Sequence, residues 1–508
     1  MKKILRFLTQ RVVLTALLIL IQALLLFGII WKLNNYFIYF YAFSVLLSLL
    51  LTLRIINNKS NPAFKIAWLI PILLFPVLGG LVYLVFGSDR TGKYIRNKMG
   101  RIEKEMQDGI SKANERSGIE KMPPDVVNQS HYISNSAHCP PYKNTTVEYL
   151  PVGEVKFERM VQELKKAKRY IFMEYFIIQE GTMWNTILDV LEEKAKEGVD
   201  VRVIYDDMGC ILTLPTGYEK TLREKGIQCQ IFNPFIPILS SHFNTRDHRK
   251  ICVIDGNVGF TGGINLADEY INGYEKHGHW KDTAILLKGE AVFSLTTMFL
   301  SMWDYLIKKE GEDYAAYYPD SWDENAQGIV QPFADNPLDD EAVGETVYLN
   351  LINKAKRYVY ITTPYLILSN EMVTAMNTAA KSGVDVRIIT PHVPDKWYVH
   401  AVSRSYYEML VEAGVKIYEY TPGFVHAKTF VVDDEYAVVG TINLDYRSLY
   451  LHFECAAWMY KASCVTDVRD DFLKTQQMSQ EITLEECRNI SIPRRLGRSV
   501  LRVLAPLM

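Results

Sequence analysis

Three long apolar stretches open the chain. Residues 12–31 are apolar except for Thr15 and Gln22, and about 20 such residues can cross a hydrocarbon core as a helix. Residues 36–53, rich in Phe, Tyr and Leu, carry no charge; residues 66–86 are as long but hold Pro71, Pro76, Gly79 and Gly80 near their middle, which weakens a continuous helix. Basic residues sort around them. Lys2, Lys3, Arg6 and Arg11 precede the first stretch, Arg54, Lys59 and Lys65 separate the second from the third, and Arg90, Lys93, Arg96, Lys98 and Arg101 follow; only Lys32 sits in the first loop. If 12–31 and 36–53 cross while 66–86 dips in and returns, every basic cluster lies on one side, as the positive-inside rule asks. Three full crossings leave one cluster outside. Residues 1–89 therefore read as an integral membrane region, with the rest of the chain cytoplasmic. A signal peptide fits poorly, because the apolar run exceeds an ordinary h-region and no small-residue cleavage site follows it.

Beyond residue 89 the pattern changes. Residues 90–145 are polar and charged, with Pro123, Pro124, Pro140 and Pro141, and predict a helical stalk and linker. Residues 491–508 mix Arg494, Arg495, Arg498 and Arg502 with Leu, Val and Met, an amphipathic tail suited to anionic membrane lipid. Between them short β-rich runs alternate with amphipathic stretches, and the alternation repeats. Lys166-Ala-Lys-Arg-Tyr170 returns as Lys354-Ala-Lys-Arg-Tyr358, Gly198-Val-Asp-Val-Arg202 as Gly383-Val-Asp-Val-Arg387, and Leu222–Gly226 is echoed by Leu410–Gly414. Agreement at three places in the same order means two copies of one module, over 146–309 and 329–490. Each copy reads strand, helix, strand, helix, strand and hairpin, an α/β sandwich with a mostly parallel sheet. The join at 310–328 is acidic: residues 310–345 hold eleven acidic residues and no Lys or Arg, and read as a solvated connector.

Composition adds exclusions. The chain has 508 residues, 49% hydrophobic and 22% charged, with a net charge of −2, so disorder is out and no global basic field favours nucleic acid. Seven scattered cysteines without a CxxC pair argue against a disulfide frame or zinc knuckle.

Candidate chemistry lies in the repeats. His248-Arg-Lys250 runs to Asp255 and on to Gly262-Gly-Ile-Asn265; His426-Ala-Lys428 runs to Asp433 and on to Gly440-Thr-Ile-Asn443. His and Asn stand 17 positions apart in both copies (265 − 248 and 443 − 426). On a strand, i and i+2 share a face, so each His projects with its Lys, whereas Asp255 and Asp433 have opposite parity and suit structural anchors at hairpin turns. Two imidazoles, two ammonium groups and two amides meeting across a twofold axis fit a tetrahedral phosphate, the Lys and Asn residues stabilising its oxygens. One histidine can attack phosphorus while the other protonates the leaving oxygen and later deprotonates the acceptor. Such a nucleophile needs its other ring nitrogen held, usually by a carboxylate, and Asp282 and Glu454 are the candidates. Glu174 is a strand-end carboxylate near the site, and the Tyr36–Tyr41 and Tyr314–Tyr318 clusters read as interfacial or packing residues.

These residues resemble the phospholipase D superfamily with two HxKxxxxD motifs, and most closely bacterial cardiolipin synthases. Arg246-Asp-His-Arg-Lys250, Val258-Gly-Phe-Thr-Gly-Gly263, Asp268-Glu-Tyr270, Thr363-Pro-Tyr365, Gly423-Phe-Val-His-Ala-Lys428 and Asn443-Leu-Asp-Tyr-Arg-Ser448 carry the likeness, as does Ala67-Trp-Leu with Pro76, Gly79 and Gly80. It covers residues 50–508, with Lys281 in Trp280-Lys-Asp282 a minor departure. The resemblance implies two duplicated phospholipase D-like α/β sandwich modules packed around a pseudo-twofold axis, behind an N-terminal α-helical membrane region, the membrane being a bacterial plasma membrane. It implies condensation of two phosphatidylglycerol molecules into cardiolipin, releasing glycerol with no metal or other cofactor. By the same analogy the HxKxxxxD residues His248, Lys250, Asp255, His426, Lys428 and Asp433 form the catalytic set, with His248 the nucleophile and His426 the general acid and base. The rival is a phospholipase D-type hydrolase, in which water accepts the phosphatidyl group. A nuclease and an inactive membrane scaffold fit less well.

Overall fold

The computed structural model describes residues 11–32, 37–87, 93–113, 119–235, 244–309 and 311–507. The basic residues Lys2, Lys3, Arg6 and Arg90, and Tyr36 of the first aromatic cluster, lie outside them. Among the described residues the chain leads with α1 (Arg11–Lys32), α2 (Phe37–Ile56), α3 (Pro62–Leu74) and α4 (Pro76–Phe86). The expected spans 12–31 and 36–53 fall on α1 and α2, but parts of both lie outside the described side chains. Among the described residues no helix is long and apolar enough to cross a membrane. The third stretch is a hairpin of two short helices, as its prolines and glycines predict. With 13 and 11 residues, α3 and α4 are about 20 and 17 Å long. Phe75 breaks the helix at φ −131°, ψ 73°, and the two helices approach so closely that a Cβ on Gly79 would lie 2.2 Å from the Pro71 carbonyl oxygen. Trp68 and Tyr83 meet edge to face at 5.3 Å.

The stalk reading is corrected. Helices α5 (Lys93–Ala113) and α6 (Pro124–Ala137) lie on the body of the protein. Met99, Ile102, Met106 and Ile110 recur at helical spacing and are buried, so α5 has an apolar stripe that must be covered. Gln331 donates to the Ser130 and Cys139 carbonyls at 3.1 and 2.7 Å, which ties α6 down.

Eighteen strands follow among the described residues. Those of the first module are β1 (Thr145–Leu150), β2 (Tyr170–Tyr175), β3 (Asp200–Asp206), β4 (Gln228–Phe232), β5 (Arg246–Asp247), β6 (Lys250–Ile254), β7 (Val258–Gly262), β8 (His279–Lys281) and β9 (Ala284–Gly289). The second module supplies β10 (Ile329–Asp335), β11 (Tyr358–Thr362), β12 (Asp385–Pro391), β13 (Lys416–Tyr420), β14 (Gly423–Val425), β15 (Thr429–Val432), β16 (Tyr436–Gly440), β17 (His452–Tyr460) and β18 (Ser479–Glu481). One sheet runs β1-β9-β7-β6-β2-β3-β4; the other runs β10-β17-β16-β15-β11-β12-β13 and adds β18. The shared order is the duplication in three dimensions. Within these two strand orders β2-β3-β4 and β11-β12-β13 pair in parallel and the remaining neighbours are antiparallel, so the expected mostly parallel sheet is corrected to a mixed, mainly antiparallel one. The hairpin after each HxK segment contributes antiparallel strands that the repeat pattern undercounts.

Not all of the acidic stretch 310–345 is solvated. Asp335 is buried and accepts from the backbone N–H of Val343 and Gly344 at 3.2 and 2.8 Å. Glu345 is buried and accepts from Ser369 at 2.5 Å and from Tyr450. Tyr314 is buried with its hydroxyl on Asp304 at 3.0 Å, and Tyr317 packs edge to face on Tyr170, in line with a packing role. All seven cysteines are buried and free.

Candidate active site

The modules meet by exchanging short strands. β5, entering the first HxK segment, pairs in parallel with β17; β14, entering the second, pairs in parallel with β8. Backbone bonds continue these ladders to the histidines: His248 N–H donates to the Phe453 carbonyl at 2.9 Å, and His426 N–H to the Lys281 carbonyl at 2.7 Å. Each histidine is thereby hung beside a carboxylate of the other module. His248 Nδ1 lies 2.9 Å from both Glu454 oxygens, and His426 Nδ1 lies 2.7 Å from Asp282 Oδ2. Both rings are 7% exposed. With Nδ1 engaged, each ring has Nε2 left for chemistry.

The carboxylates are themselves fixed. Ser448 donates to Glu454 at 2.6 Å and Thr441 donates to its other oxygen. Asp282 Oδ1 accepts from Thr283 N–H at 2.7 Å, and a Cβ on Gly263 would fall 2.1 Å from that oxygen, so the site needs glycine there. Lys250 and Lys428 donate to the His248 and His426 carbonyls respectively; β6 begins at Lys250 and β15 at Thr429, so both histidines precede the strands whose parity predicts a shared face. Asp255 and Asp433, grouped above with the catalytic set, are corrected to anchors. Asp255 accepts from the backbone N–H groups of Lys168, Arg169 and Tyr170 at 2.9, 2.7 and 3.0 Å. Asp433 does the same for Lys356, Arg357 and Tyr358 at 2.7, 2.8 and 2.8 Å. Both have positive φ, 54° and 55°, which fits the turn their sequence predicts.

The twofold match is incomplete. Asn265 has both ends of its amide engaged, accepting from Ile177 N–H at 3.0 Å and donating to the Tyr270 hydroxyl at 2.7 Å. Asn443 keeps its Oδ1 buried without a partner. His426 sits among Tyr270, Trp280 and Phe424, at 5.7, 5.6 and 5.8 Å between ring centroids; His248 faces Phe176 at 5.1 Å and His452 at 5.7 Å. Sequence reasoning gave His452 no role, although its spacing to Glu454, i to i+2 on one strand, was the available signal. Glu174 pairs with Arg249 at 2.5 Å in the buried core, and Lys281 bonds Asp471 at 2.7 Å; both hold structure. A chamber of about 1260 Å³ lies between the N-terminal helices and the second module and reaches this region at His452.

Burial dominates the electrostatics. It pushes His248 down to about 3 against the pull of Glu454, with Lys250 adding to the fall. It pushes His426 down to about 4, helped by Lys428 and opposed by Asp282. Lys250 falls to about 8 by burial, opposed first by Glu454, and Lys428 to about 7, where Asp282 opposes and Lys250 adds. Burial alone would raise Glu454, but the charge and hydrogen bond of His248, with His452 and Lys250 nearby, outweigh it and leave the carboxyl well below its usual range. Burial thus favours neutral imidazoles and works against the charge of the neighbouring lysines. An entering anion opposes both effects and draws protons back onto the cationic groups.

Comparison with known proteins agrees with this arrangement. Residues 160–303 and 348–476 match the family described as "Cardiolipin synthase, PLD-like domain", and residues 46–88 match a phospholipase D-nuclease N-terminal family. An uncharacterised protein of Streptococcus mutans is 47% identical over 461 residues, 90% of this chain and 99% of that one. A cardiolipin synthase of Alkalihalophilus pseudofirmus is 36% identical over 455 residues, 89% and 90% of the two chains. Among solved structures, the phosphatidylserine synthase of Haemophilus influenzae shares the fold, with a TM-score of 0.58 at 15% identity over 75% of this chain and all of that one. Two matched halves, the N-terminal helices and relatives aligned along nearly the whole length lead to one conclusion: the chain belongs to the cardiolipin synthase family of phospholipase D-like proteins.

Proposed function

We propose that the protein is a phosphatidyltransferase that makes cardiolipin from two phosphatidylglycerol molecules and releases glycerol. One imidazole Nε2, assigned by family resemblance to His248, attacks the phosphorus of the first lipid. The P–O bond to the headgroup glycerol breaks, and His426, which takes up a proton at Nε2 when the anionic substrate enters, passes that proton to the leaving oxygen. A phosphatidyl-histidine remains. The headgroup hydroxyl of the second lipid then gives its proton to His426 and attacks phosphorus, regenerating His248. Lys250 and Lys428 stabilise the charge on the phosphoryl oxygens, and Asn443 has the freer amide of the two candidate asparagines. The observation that carries the reading is the reciprocal pairing of His248 with Glu454 and His426 with Asp282. It holds two buried rings so that Nε2 of each is unspent.

A membrane role for the N-terminal region belongs to the same proposal. Leu20, Leu24, Leu25, Phe27 and Trp31 of α1 are exposed by half or more, up to 73% for Trp31, and Leu73, Leu74 and Phe75 crown the hairpin tip in the same way. Apolar surface on this scale calls for a partner, and the headgroups of the substrate lie at the surface of such a phase. The C-terminal helix α7 (Ile492–Leu504), with Ile492, Leu496 and Val500 exposed, adds a basic amphipathic edge.

Purified protein in detergent, supplied with phosphatidylglycerol, is expected to yield cardiolipin and glycerol in equal amounts. Phosphatidic acid without cardiolipin would instead establish the hydrolase. Mass spectrometry of acid-sensitive adducts on peptides containing His248 or His426 identifies the nucleophile.

A further inference from the structure

His452 has no place in the reaction above, yet it stands against its centre. It opens β17, two residues before Glu454, so the two side chains share a face. One donor atom from each of His248, His452 and Glu454 lies within 4.8 Å of the others. Neither ring nitrogen of His452 makes a hydrogen bond, and Nδ1 is 3.7 Å from Glu454 Oε1. A largely buried imidazole with two unmet nitrogens is costly and calls for a partner the protein does not supply.

From this cluster we propose that His248, His452 and Glu454 bind a borderline divalent cation, Zn²⁺ being the best fit, and that its binding silences the enzyme. The proposal rests on the reading of His248 as a reacting group. Two imidazoles and a carboxylate are a zinc donor set with a fourth position open to water, and they suit Mg²⁺ or Ca²⁺ poorly, since those ions prefer all-oxygen shells. Ligands on one tetrahedral zinc stand about 3.3 Å apart at bond lengths of about 2.1 Å, so the donors need to close by no more than about 1.5 Å. A route exists. His452 lines the chamber, whose wall carries the carboxylates Asp335, Asp339, Asp340 and Glu341 together with the cations Arg54, Lys59 and Arg96, Arg96 being paired with Asp340 at 3.1 Å. Lys250, bonded to the His248 carbonyl, opposes the metal and limits its affinity.

Inhibition follows from the ring chemistry whichever His248 nitrogen takes the ion. At Nε2 the metal occupies the nucleophilic lone pair directly. At Nδ1 it displaces the proton shared with Glu454, which moves to Nε2 and consumes the same lone pair. Neither route needs a further reactant.

The test uses the full chain in detergent, washed with chelator and titrated with ZnCl₂ alone. One Zn²⁺ per chain is expected in this site, with two imidazoles in the zinc shell by X-ray absorption. Cardiolipin formation should fall in parallel with occupancy and return on adding EDTA. His452→Asn should weaken zinc binding by at least about 10-fold and shift the inhibition curve equally, each variant normalised to its own metal-free rate. His452→Gln serves if the first variant is unstable. No zinc bound, a shell without two imidazoles, or unchanged affinity in the variants would each overturn the proposal. Zinc binding by a protein that makes no cardiolipin even when metal-free would instead remove the catalytic reading and leave the metal site standing.

Discussion

Each imidazole in this site behaves as its neighbours dictate, and the aspartates of the two motifs show how misleading proximity in sequence is. Asp255 and Asp433 share the signature with the histidines but spend both oxygens on three backbone N–H groups. Asp433→Ala is therefore expected to lower stability by about 2–4 kcal/mol, since an anchored loop loses its buried acceptor, while the fraction that remains folded keeps turnover within a few-fold. Denaturant melts read the stability, and active-site-normalised rates distinguish this variant from His426→Ala, which should abolish turnover even in the fraction that remains folded. The histidines also set an acid limit. Their folded values, about 3 and about 4, lie below the ordinary 6.5, so between these limits the unfolded chain binds more protons than the native one. Stability then rises with pH across this window and is lost as pH falls through it. The melting temperature should drop from pH 7 to pH 4.5, and the drop should be shallower for His248→Asn; an equal slope in wild type and variant would reject this account.

Elements carry the next layer. The turn after β7 is a tight one because Gly263 faces Asp282, where a Cβ would lie 2.1 Å from the carboxylate oxygen. Gly263→Ala must push Asp282 off His426. We expect a kcat loss of at least about 10²-fold with KM little changed, since the substrate contacts remain, and a circular dichroism spectrum like that of the wild type. At the corresponding place in the second copy stands Thr441, which donates to Glu454 instead, so Thr441→Val should lower kcat more mildly. The α3–α4 hairpin was foreshadowed by Pro71, Pro76 and Gly79. Its docking was not: Phe64 packs edge to face on Tyr446 and Tyr450, and Asn61 donates to the Tyr450 hydroxyl at 2.8 Å, which joins the apolar hairpin to the second module.

For the molecule as a whole, the reciprocal exchange makes the two modules one catalytic unit. Double-mutant cycles on folding stability should show coupling of about 0.5–3 kcal/mol for His248 with Glu454 and for His426 with Asp282. The same-module pairs His248 with Asp282 and His426 with Glu454 should show little. Coupling of the second kind would mean that the modules do not swap carboxylates. The sequence alone determined the duplication, the two HxK pairs, and the anchoring role of Asp255 and Asp433, because all of these are properties of local spacing. It also marked Asp282 and Glu454 as ring-orienting carboxylates without saying which served which ring. Tertiary structure decided that pairing, the mainly antiparallel sheets, the packing of α5 and α6, and the place of His452. The bonds concerned join residues 206 and 144 positions apart, and no periodicity within a segment encodes where a distant segment will return.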